Sequence, residues 1–379
     1  MRVLFDLLHP AHFHLFKHVI TALRSRGDHV EIIARRKDCL PDLLRAAHCP
    51  AHILPRKRTS LVVLAAESLR AARLAVRLSR PQPFDFLLGA SISIAPAARL
   101  AGGLSLVYKD DDAKVIPLFA HTAYPLAHYI VTPRCLAFED HGPKHLTYPG
   151  YHELAYLHPN RFTPDPAIRA DLGLAPDERF FLVRLVSLTA HHDVGETGLT
   201  TDRARRLVRH LQRHGRVFVS AESTVDPDLQ PLCLPTPVDR IFDVLAAADL
   251  VVGDSQTMAS EAAVLATPSL RCNTFKARLA YLDELEHRYR LTGAYLPTEF
   301  DQLLARIDDW LARPDLKQQW LQKRDAMLAE TVDLTDWTLK LLDRLATHRQ
   351  RTGRKFDRSD LAADPDLAGP TINDAKAKP

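Results

Sequence analysis

The stretch of residues 249–268 constrains the fold of this chain more than any other. Its apolar run at 250–252 is typical of a strand buried in a parallel sheet. Gly253 and Asp254 break that run, and Ser255 stands where a residue caps a helix. The stretch therefore predicts a strand, a polar turn and a helix, which is the repeating unit of α/β proteins.

The start of the predicted helix is also a candidate anion site. Its first backbone N–H groups and the positive end of its dipole point to one place, so we predict that Ser255, Gln256 and Thr257 contact a diphosphate. Glu261 follows about 9 Å further along the helix and is predicted to accept hydrogen bonds from sugar hydroxyls. A simple strand-to-helix crossover with a solvated glutamate accounts for the same spacing equally well.

The length and composition of the chain limit the other possibilities. A chain of 379 residues is too long for one ordinary core, so two domains are expected. Five scattered cysteines, and no apolar run of about 20 residues, predict a cytoplasmic protein without a membrane span. The net charge of +4 permits an anionic substrate, and the sequence carries no motif for nucleic-acid binding.

The first half alternates strands and helices, and its first strand-to-helix loop is rich in histidine. We predict that His12 or His14 lies at the carboxyl end of the sheet and acts as a general base, because imidazole titrates near neutral pH. The alternative is that these histidines are polar loop residues or helix caps. No nearby carboxylate completes a ligand set at familiar spacing, so no metal site is predicted.

Two further features of the first half are charged. A strand at 104–108 delivers Asp110 and two more aspartates to the carboxyl edge, where Asp110 is predicted to contact the substrate, and a solvated turn is the alternative. Arg70, Arg73 and Arg77 form a basic stripe on a helix predicted at 60–79. Such a stripe is typical of a solvated helix face, and it also suits peripheral contact with an anionic membrane at its inner face.

The second half repeats the plan, and polar residues at its strand ends are predicted to bind the substrate. Arg184 would either neutralise a phosphate or serve as a structural ion-pair partner. The predicted substrate-binding residues of this half are Arg184, Ser187, His191, Glu222, Ser255, Gln256, Thr257, Glu261 and Asn273.

The expected fold class is α/β, with two Rossmann-like, doubly wound parallel-sheet domains that face each other across a cleft. The strand at 128–131 is expected to be the last of the first domain, and the proline-rich residues 145–165 to form the crossing between domains. The expected boundaries are 1–160, 161–334, a helix at 335–349 and a tail at 350–379. That tail is polar and lacks an apolar period, so it is predicted to be disordered.

Several motifs together resemble a bacterial and archaeal family that is labelled only as a domain of unknown function. They are DLLHPAHFHLFK at 6–17, VSLTAHHDVG at 186–195, GDSQTMASEAA at 253–263 and RCNTF at 271–275. That family is placed in the GT-B superfamily, with nucleotide-sugar glycosyltransferases and UDP-N-acetylglucosamine 2-epimerases. One departure is Ala266, which stands where the family pattern usually has glycine at the helix end.

The resemblance implies a UDP-sugar bound mainly to the C-terminal domain, an acceptor at the N-terminal domain, and neither an obligatory metal nor another cofactor. It places Glu261 at the carboxylate that contacts the nucleotide ribose, and residues 255–257 at the diphosphate. It also implies that the helix at 335–349 crosses back onto the first domain.

Three functions remain open at this point. The first is transfer of a sugar from a UDP-sugar donor to a cell-envelope or polysaccharide precursor, with a glycan or lipid-linked acceptor. The second is a UDP-N-acetylglucosamine 2-epimerase or a nucleotide-sugar hydrolase, with His191, Asp193 and Glu222 as acid/base candidates. The third is a protein that binds a nucleotide sugar without chemistry.

Overall fold

The computed structural model describes residues 1–55, 61–186, 198–222, 225–352 and 354–370. Within these ranges the chain forms two compact units. The first combines Met1–Arg161 with residues 330–370, and the second is Phe162–Ala329.

Each unit is built on one parallel sheet. The strands of the first sheet are β1 (Arg2–Leu7), β2 (His29–Arg35), β3 (His52–Leu54), β4 (Phe86–Gly89), β5 (Leu104–Tyr108), β6 (Tyr129–Pro133) and β7 (His145–Tyr148). Those of the second are β8 (Phe180–Leu185), β9 (Arg216–Ala221), β10 (Leu250–Gly253), β11 (Ser269–Cys272) and β12 (Thr292–Tyr295). The orders across the two sheets are β3-β2-β1-β4-β5-β6-β7 and β12-β11-β10-β8-β9.

Both sheets are doubly wound, because the chain turns in opposite directions from a strand inside each sheet. In the first sheet β1 lies between β2 and β4, and in the second β8 lies between β9 and β10. The loops that follow such neighbouring strands diverge to opposite faces and leave a crevice at the carboxyl edge, where ligands of doubly wound sheets bind. The predicted parallel α/β class is confirmed.

Helices connect the strands in the described residues. They are α1 (Pro10–Ser25), α2 (Leu40–Ala46), α3 (Leu61–Ser79), α4 (Ile94–Ala101), α5 (Pro117–Ala123), α6 (Ile168–Asp171), α7 (Thr201–Leu211), α8 (Ile241–Ala247), α9 (Gln256–Val264), α10 (Ala280–Asp283), α11 (Phe300–Leu311), α12 (Leu316–Leu328), α13 (Leu334–Thr352), α14 (Arg358–Ala363) and α15 (Pro365–Ala368). No helix among these residues is long and apolar enough to cross a membrane. Arg70, Arg73 and Arg77 are exposed on α3, and contact of that stripe with a membrane stays a prediction.

The organising stretch folds as its pattern indicates. All four residues of β10 are buried, Ser255 is the N-cap of α9, and its hydroxyl oxygen accepts a hydrogen bond from the Met258 N–H at 3.2 Å. Ala266, the departure from glycine, adopts the left-handed conformation with a φ of 59°. An alanine there costs about 1 kcal/mol relative to glycine, and the chain accepts that cost to leave the helix.

One strand was missed by the sequence analysis. Residues 145–148 form β7, which pairs in parallel with β6 inside the first unit, so residues 128–133 are not its last strand. The prediction failed because His-Leu-Thr-Tyr is short, half polar and followed directly by proline and glycine. The error matters for function, since β7 carries its own loop to the carboxyl edge of the sheet.

The prediction that residues 350–379 are disordered is wrong for the part of this tail that the structure describes. Residues 358–368 form α14 and α15, which begin at the capping aspartates Asp357 and Asp364. Leu361 and Leu367 are buried, and Trp337 Nε1 of α13 donates a hydrogen bond to the Leu367 carbonyl at 2.9 Å. Only a few widely spaced apolar residues anchor the segment, too few to produce a visible period. Residues 371–379 lie outside the described part.

Candidate functional site

The first candidate site is the start of α9 at the switch point of the second sheet. The Gln256 and Thr257 N–H groups belong to the first turn, which has no preceding helical carbonyl to accept from them. Thr257 is exposed, whereas Ser255 and Gln256 are half-buried. The three residues therefore present polar groups at the end of a strand where a nucleotide phosphate is commonly held.

Glu261 lies further along α9 with a side chain that is taken out of solvent. Its exposed fraction is only 7%. This burial contradicts the alternative of a solvated glutamate on a crossover helix. A buried carboxylate is a strong hydrogen-bond acceptor, and the hydroxyl groups of a sugar are donors of the kind it accepts.

Arg271 is a functional candidate that the sequence analysis missed. Its side chain is 1% exposed, and one terminal nitrogen, Nη2, donates to Glu286 Oε2 at 3.3 Å. The other two nitrogens, Nε and Nη1, are buried and have no hydrogen-bond partner among the described residues. Leaving such donors unpaired in the interior costs a few kcal/mol, about 1–3 for each group. An anionic ligand would remove that cost.

The neighbours of Arg271 place it beside the first turn of α9. Ser269 and Asn273 point to the same face of the sheet as Arg271, because they are two positions before and after it. The Ser269 hydroxyl donates to the Ala259 carbonyl at 3.2 Å, and Asn273 Nδ2 donates to the Asp254 carbonyl at 2.9 Å. Arg271 thus extends from β11 on the face of the sheet that faces the segment between Asp254 and Ala259, and we infer that its guanidinium lies near the start of α9. Two positive features together favour an anion.

Arg184 occupies the same row of the sheet as Arg271, with Gly253 between them. Two strand spacings separate the arginines by roughly 10 Å. Only glycine fits between them, because a Cβ at Gly253 would lie 2.3 Å from the Arg184 carbonyl oxygen. Arg184 itself donates to Glu222 Oε1 at 2.6 Å and to Ser220 Oγ at 2.8 Å. The structure therefore shows the ion pair that the sequence left as one of two roles for Arg184, and it makes Glu222 that partner.

Asp254 accepts hydrogen bonds from backbone N–H groups at the end of β8 and in the segment before α7. Its carboxylate accepts hydrogen bonds from the Val186 N–H at 2.8 Å and the Leu199 N–H at 3.1 Å, which lie on either side of residues 187–197. Burial raises the pKa of Asp254 to about 6, although these two N–H groups lower it. Ser187 and His191 lie outside the described residues. Asn273 uses both ends of its amide within the protein, since its Oδ1 accepts from the Phe275 N–H, and its contact with a substrate stays a prediction.

Replacing Asp254 by asparagine is expected to remove part of the pH dependence of unfolding. Between the ordinary pKa of 3.8 and the folded pKa of about 6, the folded protein binds more protons than the unfolded chain. Its free energy of unfolding therefore falls as the pH rises through this window, by up to about 3 kcal/mol. Denaturant titrations across the window measure this, with the exposed Asp301→Asn as control. If the free energies of unfolding of the wild type and of Asp254→Asn differ by the same amount at every pH, the prediction is wrong.

The second candidate site lies in the first unit, at the carboxyl ends of β5 and β7. Asp110 follows β5, and His152 follows β7 after a turn at Gly150, whose φ of 143° is in the glycine-favouring region. His152 Nδ1 and Asp110 Oδ2 are 3.1 Å apart. The Nε2 atom of His152 is buried and has no hydrogen-bond partner among the described residues. One imidazole nitrogen is thus held by a carboxylate while the other is left for a reacting proton.

Electrostatics strengthen this pair. Burial lowers the pKa of His152, but the Asp110 carboxylate and Glu153 outweigh it, so the pKa is raised above its usual value. Burial has the opposite effect on Asp110 and raises the pKa of its carboxyl group. The positive charges of His152 and Lys109 outweigh burial, so the pKa of Asp110 lies well below its usual range. A carboxylate that orients an imidazole, raises its pKa and stabilises the imidazolium formed by proton transfer makes the neutral histidine an effective base.

His12 has a different role from the one predicted. It belongs to the first turn of α1, not to a loop, and its Nδ1 accepts a hydrogen bond from the Leu8 N–H at 3.2 Å. His9 caps the same turn by accepting from the Ala11 N–H. With Nδ1 of His12 accepting, the ring proton of the neutral form sits on Nε2, which can then donate but not accept. The helix cap is thus His9, while His12 accepts a hydrogen bond from the residue before that cap, and a catalytic role of His12 stays a prediction.

His12 nevertheless lies near the pair formed by Asp110 and His152. Burial lowers its pKa well below the usual value, and the charges of His9, Lys109 and His152 lower it further. His12 is therefore neutral near pH 7, as a hydrogen-bond donor to a substrate oxygen would be. The structure groups His12, Lys109, Asp110 and His152 in one neighbourhood of the first unit.

His14 belongs to a different face of α1. Its ring lies 5.3 Å from that of Tyr156, and burial, with smaller effects from Lys17 and His18, lowers its pKa to about 3. The helix separates His14 from His12 by two positions, about 200° around the axis. Only His12 is therefore placed to act with Asp110.

The three aspartates after β5 do not act as one group. Asp110 pairs with His152, Asp111 with Lys109 at 3.0 Å, and Asp112 with Lys114 at 3.5 Å. Deeper in the sheet, Asp6 and Arg35 form a buried ion pair at the switch point, and the hydroxyls of Ser91 and Ser93 both donate to Asp6. These buried groups beside β1 pair with one another and form a network separate from the pair of Asp110 and His152.

Comparison with known proteins identifies the fold. No protein-family model matches the chain, and no curated protein does. Among solved structures, the UDP-GlcNAc 2-epimerase from Neisseria meningitidis bound to UDP-GlcNAc is 10% identical, with a TM-score of 0.65, and the match covers 91% of this chain and 100% of that one. The MnaA protein of S. aureus in complex with UDP is 11% identical, with a TM-score of 0.66 and coverage of 93% and 98%.

A glycosyltransferase is similar over the same length. The calicheamicin glycosyltransferase CalG4 is 13% identical, with a TM-score of 0.58 and coverage of 93% of this chain and 99% of that one. Identities this low establish the fold and not the reaction. The chain has the GT-B fold, which nucleotide-sugar glycosyltransferases share with UDP-GlcNAc 2-epimerases.

Proposed function

We propose that this protein is a glycosyltransferase that moves a sugar from a UDP-sugar donor to a cell-envelope or polysaccharide precursor, either a glycan or a lipid-linked acceptor. The proposal rests on α9 and the neighbouring strand β11: the first two N–H groups of α9 have no partner within the described residues, Glu261 is buried further along the helix, and Arg271 on β11 is incompletely paired within the same residues. Each of the three suits a part of a nucleotide diphosphate.

The second unit would bind the donor. Residues 255–257 and Arg271 would take the diphosphate, and Glu261 would accept hydrogen bonds from the ribose hydroxyls. Charge develops on the departing diphosphate during transfer, so preorganised donors at this position stabilise the transition state as well as the bound ground state. Arg184 would contribute its charge from the same row of the sheet while remaining paired with Glu222.

The first unit would move the proton. His152, oriented by Asp110, would take the proton from the acceptor hydroxyl at Nε2 as the sugar bond forms. His12 would donate a hydrogen bond from Nε2 to a substrate oxygen. This assignment transfers the role of base from His12 and His14 to a histidine on β7's loop.

A UDP-N-acetylglucosamine 2-epimerase or nucleotide-sugar hydrolase is the second candidate. Its support is that epimerases share the fold as glycosyltransferases do, with TM-scores of 0.65 for the Neisseria epimerase and 0.58 for both the Methanocaldococcus epimerase and CalG4. The sequence suggested His191, Asp193 and Glu222 as the acid and base of this reaction. Glu222 is paired with Arg184, and His191 and Asp193 lie outside the described residues. His152 and Asp110 would have to serve instead.

A screen of nucleotide sugars is expected to separate these functions. A ligand that binds the folded state raises the free energy of unfolding, by about 2.7 kcal/mol at a concentration of 100 times its Kd, and so raises the melting temperature. UDP-sugars should therefore stabilise the protein more than other nucleotides. Release of UDP that needs an added acceptor identifies a transferase, and turnover without an acceptor identifies an epimerase or hydrolase. Tight UDP binding with no turnover on any acceptor would make it a binding protein. No stabilisation by any nucleotide would contradict the donor site.

A further inference from the structure

Away from both candidate sites, three side chains of metal-ligand type meet on the second unit. His210 lies near the end of α7, His214 lies in the turn that follows, and Asp308 lies on α11. Asp308 Oδ1 is 2.8 Å from His210 Nε2 and 3.0 Å from His214 Nε2. One carboxylate oxygen of α11 thus contacts two imidazole nitrogens, one from α7 and one from the turn that follows it.

The chemistry and spacing of this cluster suit a borderline divalent cation. Two imidazoles and a carboxylate are a familiar zinc ligand set, with bonds of about 2.0–2.2 Å and a fourth position for water. Ligand atoms in such a tetrahedron lie roughly 3.3 Å apart. The three ligand atoms here are all within 4.8 Å of one another, so small side-chain rotations are sufficient to surround an ion.

Access to the cluster is open. The side chains of His210, His214 and Asp308 are 11%, 29% and 47% exposed. An ion can therefore enter from solvent, and a water molecule can complete its coordination. The histidines are four positions apart, a separation that brings two imidazoles to the same side of one helical turn.

We propose that His210, His214 and Asp308 form a binding site for a divalent cation of the zinc class, which would tie α7 to α11 within the second unit. The two Nε2 atoms that now face Asp308 would become ligands, with their protons moved to Nδ1. The neutral imidazoles would then supply lone pairs, and the ionised carboxylate would neutralise part of the ion's charge.

Arg213 competes with the cation. Its Nη2 lies 2.5 Å from His210 Nδ1 and 3.2 Å from His210 Nε2. Donation to Nδ1 keeps the ring proton on Nε2, which blocks the lone pair that a metal needs. The Arg213 charge also repels a cation. The side chain is long and exposed, so it can rotate away when an ion binds, but it should weaken the site while it is present.

Titration of the full-length protein, without an affinity tag, with Zn²⁺ and Co²⁺ tests the proposal. We expect one equivalent of Zn²⁺ to bind and to raise the melting temperature, and Co²⁺ to give the visible absorption of a four-coordinate site. Asp308→Asn and His214→Gln should each weaken Zn²⁺ affinity at least tenfold. Arg213→Gln should strengthen it several-fold, and Asp309→Asn, which alters the adjacent residue on α11, should leave it unchanged.

Three results would overturn the site. They are no uptake of Zn²⁺ by the wild-type protein, an affinity unaffected by Asp308→Asn, or an equal loss in the Asp309→Asn control. Variants that lower the melting temperature to the same extent with and without Zn²⁺ would also overturn it, because they would show that the three residues form only a hydrogen-bonded cluster between helices. The readout does not depend on nucleotide-sugar turnover.

Discussion

Replacing His152 by asparagine is expected to lower nucleotide-sugar turnover by about 10²–10⁴-fold, the usual contribution of general acid–base catalysis. The affinity for UDP should stay within about twofold, because His152 belongs to the first unit and the proposed donor groups belong to the second. Steady-state rates with the substrate found by screening, together with calorimetric titration of UDP, measure the two quantities. Asparagine keeps a polar group near Asp110 and so limits the structural disturbance.

The pH dependence separates His152 from a residue that only supports the fold. Asp110 raises the pKa of His152, so a rate that needs the free base should rise with pH up to a value above the usual pKa of about 6.5. In Asp110→Asn this acidic limb should move to lower pH, because the carboxylate no longer favours the imidazolium. The control is His121→Asn, since His121 is an exposed histidine of α5. A His152 variant that keeps most of its activity while His12→Asn loses it would return the role of base to His12.

Replacing Arg271 by methionine is expected to weaken UDP binding by about 10–100-fold, the equivalent of the 1.5–3 kcal/mol of a hydrogen bond to a charged group. Combined with Glu286→Gln, so that no carboxylate is left without its partner, the substitution should leave the unfolding temperature equal or higher in the absence of ligand. Two buried nitrogens of the guanidinium have no partner within the described part of the chain, which is a cost in the free protein, and an apolar side chain of similar length removes it. A stabilised protein that binds its ligand worse is the signature of an anion-binding arginine.

Uridine provides the internal comparison for this experiment. Arg271→Met should weaken UDP binding and leave uridine binding unchanged, since uridine has no phosphate. Glu261→Gln should weaken both ligands to a similar extent, because both carry the ribose. Lys276→Met, which removes a half-buried ion pair with Glu299 in the same unit, serves as the control for loss of charge. If Arg271→Met unfolds early and binds UDP normally, its guanidinium is structural and the proposed diphosphate site is misplaced.

Short sequence patterns were sufficient to predict the strands and helices whose formation depends on neighbouring residues. The apolar run of β10, the cap at Ser255 and the helix predicted at 335–349 correspond to observed elements. The α/β class followed from their alternation. Elements with little local signal were lost, as with four-residue β7, or misjudged, as with α14 and α15, whose few buried leucines gain stability only against α13.

The sequence by itself determined that strands and helices alternate, that Ser255 begins a helix at the end of a buried strand, and that histidine and aspartate cluster near strand ends. Tertiary structure alone decided which of these side chains act together. Asp110 meets His152, 42 positions later, because β5 and β7 end at the same edge of one sheet. Arg271 comes to lie beside α9 because β11 returns next to β10. Pairings between residues far apart in the chain depend on strand order, and no local pattern of residues specifies that order.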